Sequence, residues 1–197
     1  MADGSPRRLA HHERKAEILQ AATALLEREG LRGFSLEAVA RDAGVALSLP
    51  RHYFGSSRDL LKAATEDLLK KVETILLSRE VKLSLRARFA AYLDLLAGDP
   101  WGHEVWMRSS DIHPEVDAIV RQARRRMSEA MYRRHWHELS EREQFDARGR
   151  IGYIEALVTD WLERGADDRD VVVDLILQAV TLPGELIAAA GPASWNA

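Results

Sequence analysis

The chain has 197 residues, of which 30% are charged and none is cysteine, and its formal net charge at pH 7 is −3. The absence of cysteine excludes disulfide bonds, thiolate catalysis and cysteine-ligated metal sites. The near-neutral charge argues against a protein that coats nucleic acid indiscriminately, although a local basic patch can still bind DNA. Since no signal-peptide core follows Met1 and no segment approaches the ~20 apolar residues that span a bilayer, we expect a cytoplasmic protein without a membrane partner.

Apolar residues recur three and four positions apart along most of the chain, which is the period of amphipathic helices. No bounded stretch of alternating apolar and polar residues indicates a sheet. We therefore predict an all-α fold of about nine helices. The first is predicted from Glu13 to Glu29 and is stopped by Gly30, and the second is predicted to begin at Ser35, a favourable N-cap residue, and to end at Gly44.

Residues 35–54 have the plan of a helix-turn-helix, with a two-turn helix, an Ala43-Gly44-Val45 turn and a short helix from Arg51 to Phe54. Glycine allows the turn a positive φ, and the second helix of such a motif faces a major groove. The side chains of Arg51 to Tyr53 can donate hydrogen bonds to phosphates or base edges, and the helix N-terminus at Ser35 can hold a phosphate.

The remainder of the chain predicts six further helices, ending in one that is apolar on nearly all sides. Ser140 to Glu143 has the spacing of a capping box. The predicted starts, in chain order, are Ser56 or Ser57, the region of Val81, Asp99, the residue after His113, Ser140, and Asp167 or Asp168.

The segment from Arg14 to Leu61 resembles the TetR family signature without a gap. The matching elements are Ile18-Leu-Gln-Ala-Ala22, Leu25-Leu26, Gly30, Phe34-Ser35, Val39-Ala40, Ala43-Gly44-Val45, Arg51-His-Tyr-Phe-Gly-Ser56 and Leu60-Leu61. The resemblance implies a DNA-binding transcriptional regulator whose third helix enters the major groove of a palindromic operator. It also implies a divergent C-terminal region that forms a homodimer and binds a small-molecule effector, usually to relieve repression, although activation is left open.

On this basis we divide the chain into a basic N-terminal arm (1–12), a helix-turn-helix domain (13–57), a ligand-binding and dimerisation domain (58–190) and a tail (191–197). The rival interpretation is a helical ligand-binding protein or enzyme whose helix-turn-helix does not bind DNA. We expect no enzyme, because no carboxylate pair is tied by sequence to a nucleophile, a histidine base or a phosphate loop.

Three positions depart from the family pattern. Ala46 replaces the usual capping Ser or Thr, which leaves Ser48 as the alternative cap. Pro50 replaces a buried aliphatic residue and is tolerated only in the first helical turn. Ser57 replaces a common lysine, with Arg58 one place on.

The predicted DNA-contacting residues are Ser35, Arg41, Leu47, Ser48, Leu49, Arg51, His52, Tyr53 and Arg58. Two of them are apolar. Leu47 and Leu49 either touch thymine methyl groups or pack against the first helix.

The C-terminal region is rich in aromatic residues and methionines, which suits a pocket for an apolar or aromatic effector, including a cationic one, between helices four and eight. The alternative is ordinary core packing. The predicted ligand-binding residues are Trp101, His103, Trp106, Met127, Met131, Trp136 and Tyr153, with His113 as a possible hydrogen-bonding group. We expect no cofactor and no metal, because His135 and His137, two positions apart on a helix, would face different sides.

The apolar ninth helix needs a cover on its second face, and an equivalent helix of a second copy is the simplest one. We therefore predict a homodimer held by an intersubunit four-helix bundle of the last two helices. The predicted interface residues are Trp161, Leu162, Val172, Ile176 and Val180.

Overall fold

The computed structural model describes residues 6–80, 82–98 and 100–181, and these ranges contain helices and no strand, which confirms the all-α class. Two short 3-10 helices, Leu31–Gly33 and Trp136–Glu138, lie between α-helices. The α-helices are α1 (Pro6–Glu29), α2 (Leu36–Asp42), α3 (Ser48–Phe54), α4 (Ser57–Leu77), α5 (Leu85–Gly98), α6 (Pro100–Ile112), α7 (Pro114–Tyr132), α8 (Glu141–Glu163) and α9 (Arg169–Thr181).

Several predicted features lie outside the described residues. They are residues 1–5 of the predicted arm, Val81 in the predicted fifth helix, Asp99 as a helix cap, the last nine residues of the predicted dimerisation domain (182–190) and the tail 191–197.

Helix α1 begins seven residues before its predicted start, so the described part of the predicted arm is helical. The prediction used the apolar stripe, which begins only at Ile18. Before it the helix is polar, and His11 and His12 are exposed. Pro6 fixes a helical φ at the first position, and the residues that follow it are mostly good helix formers.

The chain divides into two compact units. Within the described residues the first unit comprises 6–70 and 100–119, and the second comprises 71–98 and 120–181. The boundaries fall inside α4 and α7 and differ from the predicted division at residue 57. No helix among the described residues is long and apolar enough to cross a membrane.

The core of the first unit holds the helix-turn-helix together. Helix α1 contacts α2, α3 and α6. The buried residues of this cluster come from four helices and are Ile18, Ala22, Leu25, Leu36, Ala38, Val39, Phe54 and Leu60. Burying a large aliphatic or aromatic side chain contributes about 1.5–3 kcal/mol, so this cluster accounts for the stability of the short helices.

The core of the second unit is formed where α9 packs against α5 and α8. Its buried residues are Phe89, Leu93, Leu96, Val158, Trp161, Val172, Val173 and Ile176. Helix α9 is less uniformly apolar than predicted, because Asp174 and Gln178 are exposed on one edge and Asp174 pairs with Arg86.

Polar contacts also tie the helices of the second unit. The guanidinium group of Arg150 donates to the Asp146 carboxylate (2.6 Å) and to the carbonyl of Ala179 in α9 (2.7 Å). Tyr132 at the end of α7 donates to the same carboxylate. Burial and this hydrogen bond raise the pKa of Tyr132 to about 12, so the hydroxyl keeps its proton at neutral pH.

The predicted capping box at the start of α8 is confirmed. The Ser140 Oγ accepts from the Glu143 backbone N–H (3.3 Å), and the Glu143 carboxylate accepts from the Ser140 backbone N–H (2.8 Å). The hydrogen bonds that this carboxylate accepts from the Ser140 backbone N–H, from the Ser140 hydroxyl (2.8 Å) and from Arg134 hold the pKa of Glu143 below its ordinary value.

The Glu143→Gln variant should be less stable than the wild type at pH 7, because the amide is a weaker acceptor. A carboxylate with a lowered folded-state pKa stabilises fully above its unfolded-state pKa and loses this contribution as the pH falls. Urea unfolding at pH 7 and at about pH 3.5 should therefore show the difference between the two proteins shrinking at the lower pH. A difference that stays constant or grows would contradict this origin.

The turn of the helix-turn-helix requires a residue in the left-handed region, because Gly44 has φ of 65°. A Cβ at this position would meet no atom within 4 Å, so a substitution is strained by its backbone and not by a clash. The Gly44→Ala variant should lose about 1 kcal/mol of unfolding free energy. Gly44→Asn should lose less, because asparagine tolerates this region better. Chemical denaturation measures both, and an alanine variant as stable as the wild type would refute the argument.

Candidate functional site

Two serine hydroxyls hold the N-terminus of α2. The Ser35 Oγ accepts from the Ala38 N–H (3.0 Å), which confirms Ser35 as the N-cap. The Ser57 Oγ, at the first position of α4, accepts from the Leu36 N–H (3.1 Å). The serine that replaces the family's lysine therefore ties α4 to the start of α2. Sequence spacing gave no signal for this contact, because it joins residues 21 positions apart.

The turn between α2 and α3 is closed by backbone hydrogen bonds from Gly44 N–H to the Arg41 carbonyl (3.2 Å) and from Val45 N–H to the Ala40 carbonyl (2.9 Å). Helix α3 then begins at Ser48, three residues earlier than predicted. Leu47 occupies the N-cap position and no side chain caps the helix, so the expectation that Ser48 serves as the cap is wrong.

Pro50 is the third residue of α3 and is buried. Its position in the first turn agrees with the prediction. The first amides of a helix have no intrahelical partner, so the missing N–H of proline costs little there. Helix α3 comprises seven residues and ends at Phe54, with Gly55 at its C-cap.

The two faces of α3 differ in chemistry. Leu47, Leu49 and Tyr53 are half-buried and pack against the core of the first unit. This placement favours the second of the two interpretations of the leucines, packing against the head, over contact with thymine methyl groups. Ser48, Arg51 and His52 are exposed on the opposite side.

Exposed cations surround this outer face. Arg41 precedes it in α2 and Arg58 follows it in α4, and both are exposed. Among the described residues, Arg41, Arg51 and Arg58 have no carboxylate partner within ion-pair distance, whereas Arg28 on α1 pairs with Asp42 (2.7 Å). The Arg28 ion pair joins α1 to α2, while the other three guanidinium groups remain available to an anion.

A group of aromatic and cationic side chains joins the first turns of α1 to α3. The ring centroid of His11 lies 4.7 Å from that of Tyr53, and His52 lies 5.3 Å from Tyr53. The Lys15 ammonium lies 5.3 Å from the Phe54 ring centroid. The contacts of His11 and Lys15 have no signal in the sequence, because they join residues about 40 positions apart.

The predicted ligand-binding residues are divided between the two units. In the first unit Trp101 is buried, whereas His103 and Trp106 are half-buried. The fourth predicted group there, His113, accepts from the Glu115 N–H through Nδ1 (3.2 Å).

In the second unit Met127, Met131 and Trp136 are half-buried, and Tyr153 is exposed. Of these four, Trp136 lines a cavity of about 380 Å³. The other three do not line it.

The predicted interface residues lie within the core of their own subunit. Ile176 has none of its surface exposed, Val172 and Trp161 are also buried, and Leu162 and Val180 pack against the same cluster. A side chain that is buried in its own unit has little surface to offer a second copy. The exposed apolar residues of the last two helices are instead Phe145, Tyr153 and Val171.

His135 and His137 do not face opposite sides. The segment is extended and 3-10 helical, and the two rings stack with centroids 5.7 Å apart and planes 7° apart. The prediction that the two side chains face different sides of an α-helix is therefore wrong. No group of three or more potential metal ligands occurs among the described residues.

Known proteins are similar to the part of the chain that contains the helix-turn-helix. Residues 18–64 match the model of the bacterial regulatory proteins of the tetR family. The HTH-type transcriptional regulator BetI of Vibrio atlanticus (strain LGP32) is 31% identical over 74 residues, which are 38% of this chain and 34% of that protein. The chain therefore aligns with about a third of the length of this curated relative.

Solved structures are similar over most of the chain. A tetR-family transcriptional regulator from Streptomyces coelicolor gives a TM-score of 0.72 at 20% identity, covering 93% of this chain and 85% of that one. The transcriptional regulator FadR from Bacillus subtilis in complex with stearoyl-CoA gives a TM-score of 0.60 at 17% identity. The alignment covers 84% of this chain and 97% of that one. Residues 18–64 thus match the family model of these bacterial regulatory proteins, and the likeness to solved structures shows that the chain shares their helical fold.

Proposed function

We propose that this protein is a transcriptional regulator that binds a palindromic operator as a homodimer and is released from it by a small-molecule effector. The observation that carries the DNA-binding half is the outer face of α3, where Arg51 and His52 are exposed. They stand between Arg41 and Arg58, which no carboxylate of the described residues neutralises. A regulator of this kind would act on chromosomal DNA in the cytoplasm, and this is the localisation that we propose.

The geometry suits contact with the major groove. An α-helix fits into that groove, where arginine reads guanine through two parallel hydrogen bonds and other cations bind phosphates. Arg51 and His52 are the candidates for base contact, since they lie on the helix itself. Arg41 and Arg58, which flank it, are the candidates for phosphate contact.

Selection of bound sequences from random duplex DNA tests this function, and it should yield a palindrome with half-sites about 34–36 Å apart. The Arg51→Ala variant should bind the selected operator ~1–3 kcal/mol more weakly and discriminate less at one base pair. Arg41→Ala should weaken binding to all DNA sequences alike and reduce the salt dependence of the binding affinity.

Arg142→Ala is the matched control, because Arg142 is an exposed arginine on α8. Tyr53 is tested as Tyr53→Phe, since its ring packs against the core and alanine would disturb the fold. If the wild type selects no sequence, the rival interpretation of a helical protein that ignores DNA is correct. If Arg51→Ala and His52→Ala both bind normally, the assignment of α3 fails.

The dimer is proposed to use the exposed faces of α8 and α9. Phe145 is 70% exposed, Tyr153 46% and Val171 57%, which is costly for large apolar side chains in water. Gly149 lies between the two aromatic residues, and a Cβ there would meet no atom within 4 Å. A small residue on an open helix face permits close approach of a second helix.

The Phe145→Asp variant should remain folded, because the side chain is exposed, and should shift a micromolar sample from dimer to monomer in analytical ultracentrifugation. Leu83→Asp is the control, since Leu83 is 46% exposed but lies outside both helices. Ile176→Asp should instead unfold the protein, because Ile176 is buried in its own subunit. A wild type that sediments as a monomer would refute the dimer.

A further inference from the structure

We propose that the second unit binds a small organic anion, an oxyanion such as a carboxylate or phosphate attached to a compact apolar group, in the cavity between α7 and α8. The further claim that this anion is the effector rests on the proposed function. The binding site itself does not.

The cavity has the size of a ligand site. Its volume is about 380 Å³, within the range of ~300–1,000 Å³ that small-molecule pockets occupy. All of its lining residues belong to the second unit, from residues 121–128 of α7, from the 3-10 helix and from residues 148–155 of α8. The apolar part of the lining is formed by Trp136 and Ile151.

Four guanidinium groups line this cavity, those of Arg121, Arg124, Arg125 and Arg148, against the single carboxylate of Glu155. Arg124 donates to that carboxylate at 2.7 Å, which accounts for the only negative charge in the lining. Arg125 and Arg148, which form no ion pair with another described residue, give the rest of the lining its positive charge. Guanidinium groups present paired N–H donors that match the two oxygens of a carboxylate or phosphate, so the lining selects an anion.

Two of the arginines are held by the indole ring. The guanidinium carbons of Arg125 and Arg148 lie 5.7 Å and 5.5 Å from the Trp136 ring centroid, and Arg148 also lies 4.9 Å from that of Phe145. Neither arginine forms an ion pair with another described residue. Cation–π contacts orient these groups and leave their N–H donors unoccupied. The cavity thus provides donors that are positioned before an anion arrives.

This charge distribution reverses one expectation from the sequence. Aromatic residues predicted an effector that could be cationic, because indole faces attract cations. Here the Trp136 ring already contacts two guanidinium groups, and a cationic ligand would meet their charge as well. An apolar group attached to the anion can pack beside Ile151, and at Gly152 the absence of a side chain leaves open space, since a Cβ would meet no atom within 4 Å.

The test compares probes that share one ring. Isothermal titration without DNA should show binding of benzoate and phenyl phosphate, and at least tenfold weaker binding of neutral benzamide, of cationic benzylamine and of inorganic phosphate. A preference for benzoate or for phenyl phosphate decides whether the site takes carboxylates or phosphates. Equal binding of benzamide or benzylamine, or no binding by any anionic probe, would overturn the proposal.

Variants assign the binding to this cavity. Arg125→Gln and Arg148→Gln should each reduce the affinity for the preferred anion at least tenfold, and Arg148→Lys should retain more affinity than Arg148→Gln. Arg142→Gln removes an exposed arginine of α8 that does not line the cavity, and it should bind like the wild type. Circular dichroism and sedimentation confirm that each variant keeps its fold and assembly. Normal binding by both glutamine variants would place the anion elsewhere.

A separate arm measures release of the selected operator. An anion that binds in titration and also releases the operator, with both effects lost in Arg148→Gln, supports the complete proposal. Binding without release keeps the site and refutes its role as the effector site. If the selection yields no operator sequence, the proposed function is refuted, and the anion site is then tested by the titration alone.

Discussion

The packing of α1 against α2 and α3 is the interaction on which the head depends. Helices α2 and α3 have seven residues each, and isolated helices of that length are marginal in water. They persist because the apolar stripe of α1, with Ile18 and Leu25, covers Val39 and Phe54. The short helices therefore take their position from burial and not from their own propensity.

That burial also decides which side of α3 can meet DNA. Leu49 and Tyr53 are four positions apart and pack inward, so Ser48, Arg51 and His52 face outward. The absence of a side-chain cap at Leu47 is tolerated because Pro50 fixes a helical φ in the first turn. The basic side chains of α3 are thus positioned by the packing of its inner face, by Pro50 and by the left-handed Gly44.

In the second unit, ion pairs between helices have a similar positioning role. Arg124 reaches Glu155 in α8, and Arg126 reaches Glu73 in α4 (2.5 Å), whereas Arg125 between them turns to the Trp136 ring. Three consecutive arginines thus have three different partners, because successive helical positions are about 100° apart. The three arginines are alike in the sequence, and only the surrounding helices distinguish a structural ion pair from an available donor.

The sequence by itself determined the helical class, the starts of α2 and α8 and the resemblance of the head to the tetR family signature, because these depend on local signals: apolar periodicity, Ser35, Ser140 and Gly44. It missed the starts of α1, whose first turns are mostly polar, and of α3, whose first turn contains Pro50 and has no side-chain cap. Only the tertiary structure decided which apolar faces are covered within one chain. It placed Ile176 inside and left Phe145 outside, and it brought Ser57 to Leu36 and the arginines to Trp136. These contacts join residues that are distant in the chain. Burial against another helix depends on both helices, so neither segment of sequence predicts it alone.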